Sequence, residues 1–282
     1  MARLYRLAGN FLLTAPAFKN MQKLRLTAVS YLNTKPFIYG LFRSPVADQI
    51  ELSLDIPSVC AQKIADGRAD LALAPVAILP QLQEAFLVSD YCIGAIGPVQ
   101  TVCIFSEQPI ERVSKVYLDF HSKTSATLAP VLCSNFWGVQ PEFVQGQAGF
   151  EEKIRGDVAG LVIGDRAIAL QHKFPFVYDF GAAWKAWTGL PFVFAAWVSP
   201  RPLPDTFLAD FNEALRAGID RLPELTQIIP SIPGFDMEAY FRQNISYDLD
   251  ESKWQGLQHF LSMLPGGEQL VLHRQAASAL PS

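Results

Sequence analysis

Leu24-Arg25-Leu26-Thr27-Ala28-Val29-Ser30-Tyr31-Leu32-Asn33-Thr34-Lys35-Pro36 is the stretch on which the fold turns. Apolar residues alternate from Leu24 to Val29, the pattern of a strand. Polar residues and Pro36 then open a helix, since proline's fixed φ and missing N–H suit a first helical turn. A strand that empties into a helix N-terminus exposes backbone N–H groups, and these favour an anion. Tyr31, Asn33 and Thr34 stand at that junction. Asn33 has two readings on its chemistry: a ligand for a hydroxyl or carboxylate, or a side-chain cap for the helix.

Working outward, the junction recurs. Ile50 to Leu54 reads as a strand, and Pro57 opens a helix over Ser58 to Ala65 that Asp66-Gly67 closes. Ala69 to Pro75 is a buried strand running directly into a helical Val76 to Leu82. This βαβ rhythm implies parallel pairing. Tyr91 to Ile96 and Thr101 to Phe105 follow as strands around a Gly97-Pro98 turn, the second ending at Ser106. A second unit opens near Ile110. In it Lys115 to Leu118 is a strand, Asp119 to Ser125 leads into the helix Ala126 to Cys133, and Glu142 to Val144 and Gly160 to Ile163 are further strands. The last of these meets Gly164-Asp165-Arg166 and a helix. Phe192 to Val198 is an apolar strand, and Pro204 to Ile219, Leu222 to Ile229, Met237 to Asn244 and Glu251 to Leu264 read as helices.

The expected architecture is therefore α/β and two-lobed, with mixed central sheets, two crossover strands and a helical C-terminal tail. Residues 21–106 begin lobe 1, 107–191 form lobe 2, and 192–274 return to lobe 1. Residues 1–20 are expected to be an extension or mis-assigned start, with a weak likeness to a signal peptide, and 275–282 a flexible tail. Such a molecule closes by hinge bending on a ligand held between its lobes.

Half of the 282 residues are apolar, enough for a full core, and the formal charge is −4. With no run of Lys or Arg, nucleic acid is not expected as a partner. No apolar window is suited to membrane insertion. Cys60, Cys92, Cys103 and Cys133 lie singly in apolar surroundings and make no CxxC, which reads as core packing in a reducing compartment. Signatures for dinucleotides, nucleotides, zinc proteases and serine hydrolases are missing, and no metal constellation is visible. No cofactor is expected. In the expected cleft loops, Ser122, Thr124 and Ser125 crowd a helix start that needs one cap, leaving surplus hydroxyls for an anion. Ser106 is either an anion ligand or a satisfier of backbone at a strand end. Asp165 and Arg166 are a salt bridge or a pair facing ligand, and Trp184 and Trp187 either pack a ring or belong to the core. His121 is the one histidine in a cleft loop.

Taken together, Val29 to Thr34, Asp70 to Val76, Gly97 to Val102, Asp119 to Ser125, Ile163 to Arg166 and Trp187 to Ala195 resemble the chorismate dehydratases, which open the futalosine route to menaquinone. The blocks occur in order over most of the chain. The resemblance implies a type 2 periplasmic-binding-protein-like fold working in the cytoplasm, and a lyase that converts chorismate to 3-[(1-carboxyvinyl)oxy]benzoate and water. It implies Asn33 as the essential catalytic residue, Ser106 as a serine near the first crossover, and a carboxylate seat at Thr124/Ser125. Tyr31, Thr34, Ser122 and Asp165 are expected to join in substrate binding. No general base stands in these blocks, so the substrate's own enolpyruvyl carboxylate is one proton acceptor and His121 the rival. A sister enzyme acting on a cyclic futalosine derivative, and a non-catalytic, exported binding protein for a small carboxylate, are the alternatives.

Overall fold

In the computed structural model of the chain, residues 23–82 and 84–275 are described. The expectations for residues 1–20 and for the last seven residues of the tail, 276–282, lie outside them. In chain order come β1 (Leu24–Val29), α1 (Lys35–Phe42), β2 (Ile50–Asp55), α2 (Pro57–Ala65), β3 (Leu71–Pro75), β4 (Glu84–Ala95) and β5 (Val102–Ser106). They are followed by β6 (Lys115–Leu118), α3 (Thr124–Asn135), β7 (Glu142–Gln145), β8 (Val158–Ile163), α4 (Asp165–Ile168), β9 (Phe176–Asp179), α5 (Phe180–Thr188) and β10 (Phe192–Ser199). The C-terminal part holds α6 (Asp205–Asp220), α7 (Leu222–Ile228), α8 (Met237–Ala239), β11 (Ser246–Asp248), α9 (Glu251–Ser262) and β12 (Val271–Arg274).

Two mixed sheets form. The first has the order β11-β4-β10-β3-β1-β2 with β12 added along β4, and the second has the order β7-β6-β8-β5-β9. β1 pairs in parallel with both β2 and β3, as the βαβ rhythm requires, while β10 runs antiparallel between β3 and β4. In the second sheet β6 is parallel to β7 and β8, but β5 is antiparallel to β8 and β9. Because β5 already pairs within the second sheet, that sheet starts at Val102 rather than after Ser106, and the chain changes sheets through residues 96–101.

The C-terminal part is not wholly helical. Ser246–Asp248 and Val271–Arg274 both add to the side of β4 away from β10, one near each end, and the twelve residues of β4 extend well before Tyr91. Both added strands are too short for alternation to announce them, and Glu84, Ser89 and Asp90 break the apolar pattern of β4. The stretch from Met237 to Asn244 is one short helical turn followed by a π turn. Trp184 is fully buried against Phe192, Phe260 and Trp187, and its Nε1 donates to the Pro191 carbonyl at 3.2 Å, so this tryptophan pair is core. All four cysteines are buried and unpaired. No helix of the described residues is long and apolar enough to cross a membrane.

The helix that follows β1 is held by unusually close backbone approach. α6 turns Phe207, Phe211, Ala214, Leu215 and Gly218 inward, at helical spacing. Where it crosses α1, a Cβ on Gly218 would lie 2.0 Å from the Pro36 carbonyl oxygen, and one on Gly40 would lie 1.9 Å from that of Ala214. Only glycine admits this crossing, and it fixes the helix that extends the Asn33 turn. Gly218→Ala is expected to destabilise the protein by about 3 kcal/mol in urea unfolding, an overpacking cost. Gly67→Ala, where a Cβ meets nothing within 4 Å at a φ of 68°, should cost only about 1 kcal/mol, the penalty for left-handed backbone. Equal effects of the two substitutions would show that the crossing is not tight.

Candidate active site

Parallel strands place their carboxyl ends on one side, and ligands of open α/β sheets sit there. β1 ends at Val29 and β3 at Pro75 in the first lobe; β6 leads to Ser122 and β8 ends at Ile163 in the second. These ends face each other across a cavity with about 530 Å³ of empty space, counting its mouth. The first lobe contributes Val29, Tyr31, Asn33, Pro75, Ile93 and Phe194, and the second contributes Val102, Ser122, Thr124, Ser125, Ile163 and Gly164. Val99 and Thr101 line it from the connecting segment. Among the described residues, no Asp, Glu, Lys, Arg or His lines this cavity.

Asn33 lies half-buried in the 3₁₀ turn Leu32–Thr34 and lines the cavity. Its side chain does not cap α1; among the described residues its Oδ1 accepts from Thr34 Oγ1 and from no backbone N–H. The residue is instead held at its side chain and at its backbone. Thr34 Oγ1 donates to its Oδ1 at 3.3 Å, and Tyr247 Oη donates to its backbone carbonyl at 2.9 Å. Thr34 itself is buried and does not line the cavity; its hydroxyl meets the Asn33 side chain instead.

The N-terminus of α3 supplies the other polar wall. Ser122 Oγ accepts the Ser125 N–H at 3.0 Å and is the cap that one of these hydroxyls had to be. Thr124 Oγ1 accepts the Ala77 N–H at 3.2 Å and donates to the Phe194 carbonyl at 3.0 Å, which commits it to joining the lobes. Ser125 Oγ lines the cavity and makes no hydrogen bond among the described residues. A twelve-residue helix with a hydroxyl at its first turn presents N–H donors and a positive dipole end, which favour an anion.

Ser106 is not at the site. It is fully buried, its Oγ accepts the Gln108 N–H at 3.1 Å, and it pairs with Phe176 at the far end of β5. The reason is strand direction. β5 is antiparallel to β8, with Val102 opposite Ile163, so its beginning and not its end faces the cleft. Thr101, at that beginning, is the hydroxyl the sequence reading missed; it lines the cavity, and its Oγ1 is 2.9 Å from Tyr240 Oη. The available signal was a hydroxyl residue at the other end of the same strand.

Tyr31 lines the cavity, and its ring packs on Gly164, where a Cβ would come within 2.6 Å of it. Burial pushes its phenol pKa well up, so the hydroxyl is neutral. His121 stands behind it with Nδ1 2.7 Å from Tyr31 Oη, outside the cavity lining. Burial, and then the Arg166 guanidinium, lower the pKa of His121. Asp165 and Arg166 do not pair with each other. Arg166 bonds to Asp119 and Glu151, and Asp165 accepts the Leu32 N–H, and neither Asp165 nor Arg166 lines the cavity.

Comparison with known proteins adds to this geometry. A chorismate dehydratase from Thermus thermophilus is 27% identical over 231 residues, covering 74% of this chain and 84% of that protein. Protein AF1704 from Archaeoglobus fulgidus superposes with a TM-score of 0.64 at 16% identity, covering 87% of this chain and 97% of that one. The CA3427 gene product of Candida albicans, described as having the generic periplasmic binding protein fold, superposes with a TM-score of 0.56 at 10% identity, over 89% of this chain and 96% of that one. The fold is thus periplasmic-binding-protein-like. The model of the menaquinone biosynthesis family matches residues 24–265, nearly all of the described chain, and the chain belongs to that family.

Proposed function

We propose that this enzyme dehydrates chorismate to 3-[(1-carboxyvinyl)oxy]benzoate, as the first step of the futalosine route to menaquinone. The observation that carries the proposal is a cleft cavity with amide, hydroxyl and helix-terminus donors but no charged side chain among its lining residues. Such a site binds carboxylates through neutral donors and leaves a substrate carboxylate unpaired enough to act as a base. The apolar walls, Val29, Pro75, Ile93, Val102, Ile163 and Phe194, suit a six-membered ring that becomes aromatic. The dehydratase from Thermus thermophilus gives independent support.

The chemistry follows from the bonds broken. The hydrogen on C3 is acidified through the C1=C2 double bond by the ring carboxylate, whose oxygens gain charge as the proton leaves. Donors at the α3 N-terminus, with Ser125, stabilise that charge. The enolpyruvyl carboxylate, tethered to C3 through its ether oxygen, takes the proton within the bound substrate. The C3–H electron pair becomes the C3=C4 bond, the C4–O bond breaks, and the departing hydroxide recovers the proton as water. Asn33 holds the reacting end of the ring through hydrogen bonds. A neutral amide orients but cannot serve as the base, which is consistent with His121 lying behind Tyr31.

Incubation with chorismate should yield the aromatic enol ether, read by its ultraviolet spectrum and by the mass change for loss of one water; binding without turnover would reject the proposal in favour of a solute-binding role. Asn33→Ala should lose about 10²–10³ in kcat with the fold retained, the scale for losing one preorganised donor. His121→Ala should keep most of its activity. A His121→Ala enzyme that binds substrate but is inert would assign the proton to the protein.

Because the acceptor is a substrate carboxylate, kcat/KM should stay flat between about pH 5 and pH 8, the range in which histidines titrate. His121 acting as base, with its pKa lowered by burial and by Arg166, would instead give a rising limb in the acidic part of that range. Ser125→Ala should raise KM about tenfold, the loss of a hydrogen bond to a charged group, whereas Ser106→Ala should leave KM unchanged. Steady-state kinetics of the two variants checks the assignment.

A further inference from the structure

We infer that Asp165 is a positioning residue that reaches across the cleft to cap the turn bearing Asn33, so that the asparagine is set in place as the lobes close. The first N–H groups of a helix need acceptors. The turn Leu32–Thr34, which runs on into α1, takes none from its own N-cap side chains. The Leu32 N–H instead donates to both oxygens of Asp165, at 2.9 and 3.2 Å. Asp165 is 133 residues away in sequence and begins α4 in the second lobe. A carboxylate at this position also meets the positive end of the α1 dipole.

Gly164 supports the same clasp. Its φ is 67°, and the face of Tyr31 occupies the space a side chain would need, with ring carbons 2.6 Å from an ideal Cβ. Residues 164 and 165 therefore grip residues 31 and 32, and Asn33 is the next residue in the chain. Asp165 does not line the cavity, so its effect on substrate passes through Asn33. A third tie, the Ser58 N–H donating to the His121 carbonyl at 2.9 Å, lies on the same rim.

The kinetic part of the test rests on the dehydration reading, and the structural part does not. Spin labels at Asp48→Cys and Gln147→Cys, both exposed and in different lobes, report the lobe separation while the four native cysteines are buried. Asp165→Ala is expected to lengthen the label distance in ligand-free protein and to lower kcat for chorismate about tenfold, the scale of a lost cap. The melting temperature should stay close to that of the parent. Asp165→Asn, whose amide oxygen still accepts from Leu32, should recover kcat to within about threefold of the parent. Parent-like kcat in Asp165→Ala, an unchanged label distance, or an Asp165→Asn enzyme as impaired as Asp165→Ala would each overturn the inference. If the parent chain leaves chorismate intact, the dehydration reading falls, and the label distances still decide the clasp.

Discussion

Three backbone groups of the first lobe, the N–H of Leu32, the N–H of Ala77 and the carbonyl of Phe194, find their partners on side chains of the second lobe. Buried backbone polar groups must be satisfied, and here the satisfaction is conditional on closure. Each such bond is worth only about 1 kcal/mol net, because an open molecule would return the same groups to water. The closed arrangement is therefore well specified but inexpensive to leave, as hinge opening between two lobes requires. Thr124 shows the economy of the arrangement, since one hydroxyl accepts from Ala77 and donates to Phe194.

Charge is kept out of the cavity and concentrated below it. Asp119 is fully buried, and its carboxylate accepts from the His121 and Ile163 N–H groups and from Arg166, which also bonds to Glu151 and lies against the Phe120 ring. Those bonds tie the ends of β6 and β8 together, so the ion pair shapes the cavity wall without touching its contents. Removing one partner would leave a buried charge uncompensated, a costly state. The result is a pocket in which every polar lining group is neutral.

The legible parts of the sequence were those governed by local periodicity and turn chemistry. Alternation in Leu24 to Val29, prolines opening α1 and α2, and the small hydroxyl residues at the start of α3 each correspond to an observed element. Asn33, Tyr31, Ser122, Thr124 and Ser125 do converge on one cavity. Ser106 was misplaced because a strand looks the same whichever way it runs; its antiparallel pairing with β8 turned Thr101 toward the cleft instead. Thr34 faces inward on its 3₁₀ turn, a matter of one residue's rotation. The edge strands β11 and β12 exist because β4 offers them partners, and their own residues carry little signal.

By itself, then, the sequence determined the two-lobed α/β plan, the junction of β1 with a helix start, and the neutral polar residues able to meet an anion. These follow from the spacing of apolar residues and from the φ preferences of proline and glycine, which act over a few residues. Only the tertiary structure decided which strand ends meet, which hydroxyls are spent on holding the lobes together, and that the cap for the Asn33 turn comes from Asp165. Those depend on strand direction and on pairing between residues 47 to 133 positions apart, and no local pattern encodes a partner at such distances.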